Sequence, residues 1–451
     1  MTRRSALAAL ACCPLLSQSP PRTTDYRSDL PHPRLLLPPR RARLLERERE
    51  RQTLRWVAFD TLVLGKAVFP EQGFAMSLYY VASKSQDHAR QAIEWALGPG
   101  NDLRQLALVY DWCFPVLTTT QRTRLATKMQ GLLAKTTGSD IASARTRAFA
   151  AIALSDEHPD LATQTVKTLV EDWWRSVVLT PLESGKVPFE LGSHHGLFEM
   201  FHALRDNFDI DLREPAAKFF TTLPIYHLLL HYPAPFPAPE NEYRIPLMKE
   251  HGEPDLREAV RSRAAALSMV AYDNNAQEMQ FLQGWLIQDR FLMRGTWGIP
   301  YEFLWANPYQ PGLSFHYLPN VLHDPKTGRL VIRSKWEDDA VWFHLAGGKS
   351  QMFLNGQISN VTPQSFTAPI EMGNTVLMPA SAASKFRIAP EDHAMRYYIV
   401  GLKPDTKFDL EVDDEELREV ESDHGGVLEL NFPPKRTAGI LLREAGAILK
   451  S

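Results

Sequence analysis

The chain has 451 residues, 44% of them hydrophobic, which is more than one hydrophobic core usually fills and therefore predicts two domains. Its formal net charge of −3 excludes a bulk nucleic-acid binder but is compatible with a local basic cleft for an acidic polymer. The ten Trp, 13 Tyr and 22 Phe suit sugar stacking, but we expect most of them in the core of so large a chain.

The N-terminus has the pattern of an export signal over residues 1–20. Arg3 and Arg4 precede a short apolar run from Ser5 to Leu16, and small residues follow at Ser17 to Ser19. The run is too short to span a bilayer, so we predict a periplasmic or secreted protein without an integral membrane segment. Twin-arginine and lipoprotein export remain open. Residues 21–32 are predicted as a linker.

From residue 33 to about residue 290 the pattern is helical. Apolar residues recur at three- and four-residue steps, as at Val109, Trp112 and Val116. Cys113, within this region, is expected to be a buried hydrophobe. The predicted helices are 40–51, 53–65, 86–97, 101–115, 119–136, 141–155, 160–177, 193–206, 213–231, 254–271 and 275–290. Short loops indicate antiparallel hairpins, which leaves a bundle, a solenoid or an α/α toroid open.

The pattern changes after about residue 300, where short β-rich runs are separated by Gly, Asn, Asp and Pro. The predicted strands are 330–334, 340–345, 396–400, 408–412, 427–432 and 439–442. This predicts an antiparallel β-sandwich. The chain is thus an α+β multidomain protein, with a helical domain at 33–310 and a sandwich at 311–451.

Four segments, in order, resemble the heparinase II/III and alginate-lyase superfamily: His32–Leu37, Ala107–Trp112, Phe303–Pro308 and Gly328–Trp336, which contains an Arg-Ser-x-Trp run. The resemblance implies an α/α toroid followed by a β-sandwich. It also implies a lyase that cuts uronic-acid glycans by β-elimination. That reaction needs a group that neutralises the uronate carboxylate, a base for the C5 proton and an acid for the leaving oxygen.

The first candidate site segment is Phe189–Phe198. It resembles the family stretch in which a turn leads to a helix that carries the proton-transfer Tyr, but here His194 and His195 stand in that place. Either imidazole suits a base or an acid, and Glu190 would orient one of them. The alternative is an ordinary helix start, with Ser193 as N-cap and the histidines on the surface. No ligand at suitable spacing accompanies the pair, so no metal and no cofactor is expected.

A second candidate segment is a loop that resembles the family loop along the cleft. Arg244 suits a carboxylate and Tyr243 a proton transfer, with Asn241 and His251 as further substrate-binding residues. An ordinary surface loop is an equal alternative.

One family feature is absent. The active lyases carry a His-x-His-x-Asp-like run after the Arg-Ser-x-Trp strand, whereas residues 347–356 contain no His, and His344 lies just before them. Three hypotheses therefore remain. They are a lyase with an acidic polysaccharide or oligosaccharide as partner, a catalytically degenerate glycan-binding protein, and a glycoside hydrolase that uses Glu190 with Glu240 or Glu242.

Overall fold

The computed structural model describes residues 26–237, 242–244, 246–247, 256–288, 292–363 and 365–446, and for Pro237, Glu242 and Tyr243 it describes the backbone. The predicted signal at residues 1–20 lies outside the described residues, as do Asn241 and His251. None of the helices in the described part is both long and apolar enough to cross a membrane.

The predicted order, helices followed by antiparallel strands, is confirmed. The described residues form fourteen α-helices: α1 (Pro39–Glu50), α2 (Leu54–Leu64), α3 (Gln72–Ser83), α4 (Gln86–Leu97), α5 (Leu103–Trp112), α6 (Thr119–Leu133), α7 (Ile141–Ala153), α8 (Pro159–Lys167), α9 (Thr180–Glu183), α10 (His194–Phe208), α11 (Ala217–Leu229), α12 (Leu256–Tyr272), α13 (Gln277–Gln288) and α14 (Ile299–Trp305). A π-helical stretch (Thr168–Leu179) joins α8 to α9.

The helices form two concentric layers. In the inner layer α3 packs on α5, α5 on α7, α7 on α10, α10 on α12, α12 on α14, and α14 returns to α2 and α3. In the outer layer α4 packs on α3 and α5, α6 on α5 and α7, and α11 and α13 on α12. Because the inner layer closes on itself, the helical part is an α/α toroid rather than a bundle or a solenoid.

Three of the inner helices are buried along almost their whole length. All ten residues of α5 and all seven of α14 are buried, and so are the residues from Gly73 to Ala82 in α3. A helix enclosed by two layers needs no polar stripe. Of these three enclosed helices, α3 and α14 were missed, whereas α5 was predicted at 101–115.

The segment before α1 packs against the ring. The Tyr26 hydroxyl donates to Glu171 at 2.9 Å and the Ser28 hydroxyl to Asn207 at 2.8 Å. Both side chains are buried, so these two residues of the predicted linker belong to the helical core.

The Asp111 carboxylate in α5 holds the chain that follows this segment. It accepts hydrogen bonds from the backbone N–H groups of Arg34 and Leu35, and it lies 2.5 Å from His32 Nδ1. The Trp112 indole N–H donates to Leu35 O at 2.8 Å. Two of the segments that carry the family resemblance, His32–Leu37 and Ala107–Trp112, thus bind each other.

The strands are β1 (Phe236–Pro237), β2 (Glu242–Tyr243), β3 (Val321–Asp324), β4 (Arg329–Arg333), β5 (Trp342–Ala346), β6 (Lys349–Leu354), β7 (Gln357–Val361), β8 (Ile370–Met372), β9 (Thr375–Pro379), β10 (Lys385–Ile388), β11 (Met395–Val400), β12 (Lys407–Val412), β13 (Glu416–Glu421), β14 (Val427–Phe432) and β15 (Ala438–Glu444). Strands β1 and β2 form a small hairpin. The others form sheet I (β3-β4-β5-β6-β7), sheet II (β14-β11-β9-β8) and sheet III (β10-β15-β12-β13). All pairs are antiparallel except β9 with β11.

The three sheets stack on the toroid as successive layers. Sheet I and sheet II share one apolar core, which includes Leu330, Phe343 and Tyr398. Sheet II and sheet III share another, which includes Ile399 and Leu410. The opposite face of sheet I joins the helical core through Val331, Trp342 and Phe353. Because sheet I is covered on both faces, β4 is buried along its whole length.

The two parts are joined by a tightly packed connection at residues 306–320. Leu313 N–H donates to Gln280 O in α13 at 2.9 Å. Gly284 lies beneath this crossing, and a Cβ atom there would stand 1.8 Å from the Leu313 carbonyl oxygen. Only glycine lets the two backbones approach so closely.

Candidate functional site

A cleft of about 550 Å³ opens where sheet I meets the helical ring. Its helical wall carries His231, Trp285 and Arg244, and its sheet wall carries Arg333 and Trp336. The other described lining residues are Tyr232, Pro233, Gln288, Phe315, His316, Glu337, Asp338 and Asp339. The volume lies within the range of ligand pockets, about 300–1,000 Å³.

Both arginines of the cleft are held in place by backbone carbonyl groups. Arg244 donates to Pro233 O at 2.7 Å and to the Asp338 carboxylate at 3.2 Å. Arg333 donates to Lys335 O at 3.0 Å, and its guanidinium lies over the Trp336 indole, 4.4 Å from the ring centre. Burial lowers the pKa of Arg333 to about 10, which leaves it cationic at neutral pH. The Arg-Ser-x-Trp run thus forms one wall of the cleft.

His231, at the helical wall, belongs to a cluster of buried histidines. His194 Nδ1 lies 2.9 Å from His227 Nδ1, and His227 Nε2 lies 3.0 Å from Ser262 O. The Ser262 hydroxyl lies 2.9 Å from His231 Nε2, and His231 Nδ1 lies 3.0 Å from His227 O. The cluster connects the start of α10 with the end of α11 and the cleft.

The hydrogen-bond partners fix the direction of each bond, because a carbonyl oxygen can only accept. His227 Nε2 therefore donates to Ser262 O, so its Nδ1 accepts from His194 Nδ1–H. His231 donates through Nδ1 to His227 O and accepts from the Ser262 hydroxyl at Nε2. Burial lowers the pKa of His227 to about 4 and lowers that of His194 well below its usual value. All three rings are neutral, and His194 Nε2 is an unprotonated nitrogen.

His195 belongs to a different network, at the N-terminal ends of the inner helices. Its Nε2 lies 3.7 Å from Glu199, and its ring meets the Tyr301 ring edge-on at 4.8 Å. Glu199 accepts from Arg104 at 2.5 Å and from Arg145 at 2.9 Å. Burial alone would raise the pKa of Glu199. The neighbouring cations, with Arg104 the strongest, outweigh burial and lower this pKa to about 2. Burial lowers the pKa of His195 to about 4, so that this ring is also neutral.

The structure therefore divides the predicted site residues. His194 and His195 are both buried, not on a surface, and they lie in separate networks. Ser193 is the N-cap residue of α10, as predicted, but its side chain makes no capping hydrogen bond, and a 3₁₀ turn (Leu191–Ser193) leads directly into the helix. Glu190 is exposed. Arg244 lines the cleft.

The remaining predicted residues are described in part or not at all. Tyr243 lies in β2, where its backbone pairs with Phe236. Asn241, His251 and Glu240 lie outside the described residues. His344 lies in β5, and its Nε2 is 3.0 Å from the Tyr226 hydroxyl, in the interface between ring and sheet.

Sequence reasoning missed His227 and His231, although a signal was present. The two residues are four apart in a helical run, which places them on one face. It also gave no site role to Trp285 and Trp336, since a Trp that lines a cleft has no local signature that separates it from a core Trp.

The described residues contain no group of three or more His, Cys, Asp or Glu side chains placed to hold a metal ion.

No protein-family model matches the chain, and no curated protein matches it significantly. Among solved structures, it is similar to the heparan sulfate lyase HepC from Pedobacter heparinus, with a TM-score of 0.38 and 12% identity over 82% of this chain and 75% of that chain. A HepC mutant gives a TM-score of 0.38 and 11% identity at the same coverage. A protein described as a glycoside hydrolase gives 0.31 and 8%, over 83% and 72% of the two chains. The toroid and the stacked sheets are defined by this chain's own contacts.

Proposed function

We propose that this protein is an exported polysaccharide lyase that takes a uronic-acid-containing glycan into the cleft between ring and sheet I. The observation that carries the proposal is the placement of Arg244 and Arg333 beside Trp336 and Trp285 in one cleft. Guanidinium groups bind carboxylates with planar, paired hydrogen bonds. Indole rings offer flat apolar faces on which a sugar ring stacks.

The proposed reaction is β-elimination, with one role for each group. Arg244 and Arg333 neutralise the uronate carboxylate, which acidifies the C5 proton. His194 accepts that proton at Nε2, since a general base must be unprotonated, with His195 as the second candidate for this role. Tyr243 protonates the leaving oxygen. Glu190, Asn241 and His251 bind the flanking sugars.

A second candidate function is glycan binding without cleavage. The observation that favours it is the state of the histidines in the described part of the chain. His194 and His195 are buried, and both ring nitrogens of His231, which lines the cleft, are engaged by Ser262 and His227. A base in the cleft must be able to reach the substrate, so a catalytically degenerate protein of the same fold is the alternative to the lyase.

The two candidates differ in product formation. The purified protein is incubated with a panel of uronic-acid polymers, and the ultraviolet absorbance of the unsaturated product is followed while binding is measured by calorimetry. The lyase predicts both signals, and His194→Ala should then reduce turnover by about 10²–10⁴, the size of a general acid–base contribution. Binding without absorbance supports the second candidate. Absence of binding to every polymer contradicts both.

The matched variant for this experiment is His424→Ala, which removes an exposed histidine far along the chain in the sheet region. Its turnover should equal that of the unmodified protein.

Export is tested separately by measuring the intact mass of the secreted protein. Retention of Met1 would argue against a cleaved signal.

A further inference from the structure

A second hollow, of about 460 Å³, adjoins the cleft on the side of the sheets. His316, Trp336 and Glu337 line both spaces, so the two form one continuous groove with Trp336 as the shared wall. The far side of the hollow belongs to Asn374, before β9, and to Arg396 in β11. Both spaces are of ordinary size for ligand pockets, about 300–1,000 Å³.

The charges of the two spaces differ. Among the described residues, the cleft has Arg244 and Arg333 against three carboxylates, those of Glu337, Asp338 and Asp339. The second hollow has Lys335 and Arg396 beside Glu337. Lys335 is already paired with Asp339 at 2.7 Å, whereas Arg396 forms no ion pair with another described residue. Arg396 is therefore the cation that the hollow offers to an anionic group.

Polar groups suited to a sugar surround these cations. The Asn320 side chain, another lining residue, donates to Ser334 O at 3.3 Å, which orients its amide. Arg396 is exposed, and its backbone N–H donates to Asn374 O at 3.0 Å, which places it beside Asn374. The indole of Trp336 is fixed between the Arg333 guanidinium at 4.4 Å and the Phe315 ring at 5.1 Å.

We propose that this second hollow is a subsite for an anionic group, a carboxylate or a sulfate, on the sugar that flanks the one in the cleft. The inference rests on the proposed function and adds the extent of the ligand to it. A glycan that occupies both spaces crosses the Trp336 wall and presents its second anionic group to Arg396 and Lys335. Affinity therefore depends on the length of the glycan, because a disaccharide confined to the cleft leaves the hollow empty.

The test compares a uronate disaccharide with a hexasaccharide of the same repeat, by calorimetry on the full-length protein. The unmodified protein should bind the hexasaccharide more tightly. Arg396→Gln should weaken hexasaccharide binding by about threefold to tenfold, the range for one exposed charge contact, and should leave disaccharide binding unchanged. Arg387→Gln, an exposed charge in β10 of sheet III, is the matched control and should change neither affinity.

A sulfated hexasaccharide forms the second arm. A greater loss for the sulfated ligand in Arg396→Gln identifies sulfate as the group that is bound, and an equal loss identifies the carboxylate. Equal binding of both lengths by the unmodified protein, or an equal effect of Arg396→Gln on both lengths, overturns this inference and leaves the proposed function standing. Failure of the unmodified protein to bind at either length overturns the proposed function and the subsite with it.

Discussion

Arg244 is proposed to bind the carboxylate of the glycan. In the structure a carboxylate of the protein itself, that of Asp338, contacts this guanidinium. The guanidinium donates to Pro233 O and to the Asp338 carboxylate, the latter at 3.2 Å. Asp338 is well exposed, at 62% of its side chain, so it can leave the arginine at little cost. A ligand carboxylate that pairs with the same guanidinium nitrogen, Nη1, has to displace Asp338.

Asp338→Asn should therefore strengthen the binding of a uronate glycan. We expect a gain of about twofold to fivefold in affinity, because an exposed ion pair contributes about 0.2–1 kcal/mol. Calorimetric titration measures it. Asp339→Asn is the control, since Asp339 also lines the cleft and carries the same charge but pairs with Lys335 at 2.7 Å. Equal gains in the two variants would show that general charge, and not competition for Arg244, sets the affinity.

The buried histidines make the stability of the fold depend on pH. Burial lowers the pKa of His227 to about 4, whereas an unfolded histidine titrates near its usual value of about 6.5. Below about pH 6.5 the unfolded chain takes up a proton that the folded chain refuses, so the free energy of unfolding falls until about pH 4. This one residue contributes up to about 3 kcal/mol of that loss.

Urea denaturation at several pH values should show this decline, with stability nearly constant above about pH 7. His227→Asn should flatten the slope between about pH 6.5 and pH 4. His424→Asn, which removes an exposed histidine, should leave the slope as it is. A slope that His227→Asn does not change would contradict a neutral His227 in the folded protein.

Among elements, the contact between the N-terminal segment and α5 contains one buried carboxylate. The Asp111 carboxylate is fully buried and accepts from two backbone N–H groups as well as contacting His32. Asp111→Ala leaves these donors buried without a partner, and breaking a buried charged pair costs about 3–5 kcal/mol. Chemical denaturation should show a loss of this size.

Asp156→Ala is the comparison for that loss. Asp156 contacts the same segment, through Arg34 at 2.7 Å and His32 at 3.1 Å, but nearly half of its side chain is exposed. Its removal should cost no more than about 1 kcal/mol. Similar losses in both variants would mean that the burial of Asp111 does not decide the strength of the contact.

Among the elements with one solvent-exposed face, the outer helices α4 and α6 and the strands β12 and β14 carry the expected periodicity, and their predicted ranges agree with the structure within a few residues. The predicted helix 160–177 corresponds to α8 and most of the π-helical stretch that follows it. Helix α3 was missed, and its run from Phe74 to Ala82 is enclosed and has no polar stripe. Enclosure alone does not hide an element, since α5 and β4 are fully buried and were predicted. Strands β6 to β10 were missed.

The candidate site was predictable only in part, for a physical reason. His194, His195 and Arg244 stand in short segments that a sequence pattern can single out. The cleft itself arises from residues about 100 positions apart, as Arg244 and Asp338 are, and nothing local in either segment encodes their approach. The division of His194 and His195 between two networks depends likewise on α11 and α5, which the segment 189–198 does not contain.

At the scale of the molecule, the cleft exists only because ring and sheets are held in one arrangement. Its walls come from both parts, and sheet I is fixed to the ring by Trp342, whose indole N–H donates to Leu229 O at 2.8 Å. The Tyr226–His344 and Tyr232–Gln351 hydrogen bonds lie in the same interface. With so apolar and buried a contact, we expect the two parts to unfold together rather than separately.

Trp342→Ala tests this coupling. The side chain is fully buried, so its loss should cost about 3–5 kcal/mol through the cavity and the unpaired Leu229 carbonyl. Calorimetry should resolve two transitions in place of one, because the ring and the sheets lose their main contact, and binding of a uronate glycan should weaken as the walls of the cleft separate. Trp297→Ala is the control, since Trp297 is 36% exposed and its removal leaves the interface intact. A single transition in both variants, with unchanged glycan affinity, would show that the two parts are held together without Trp342.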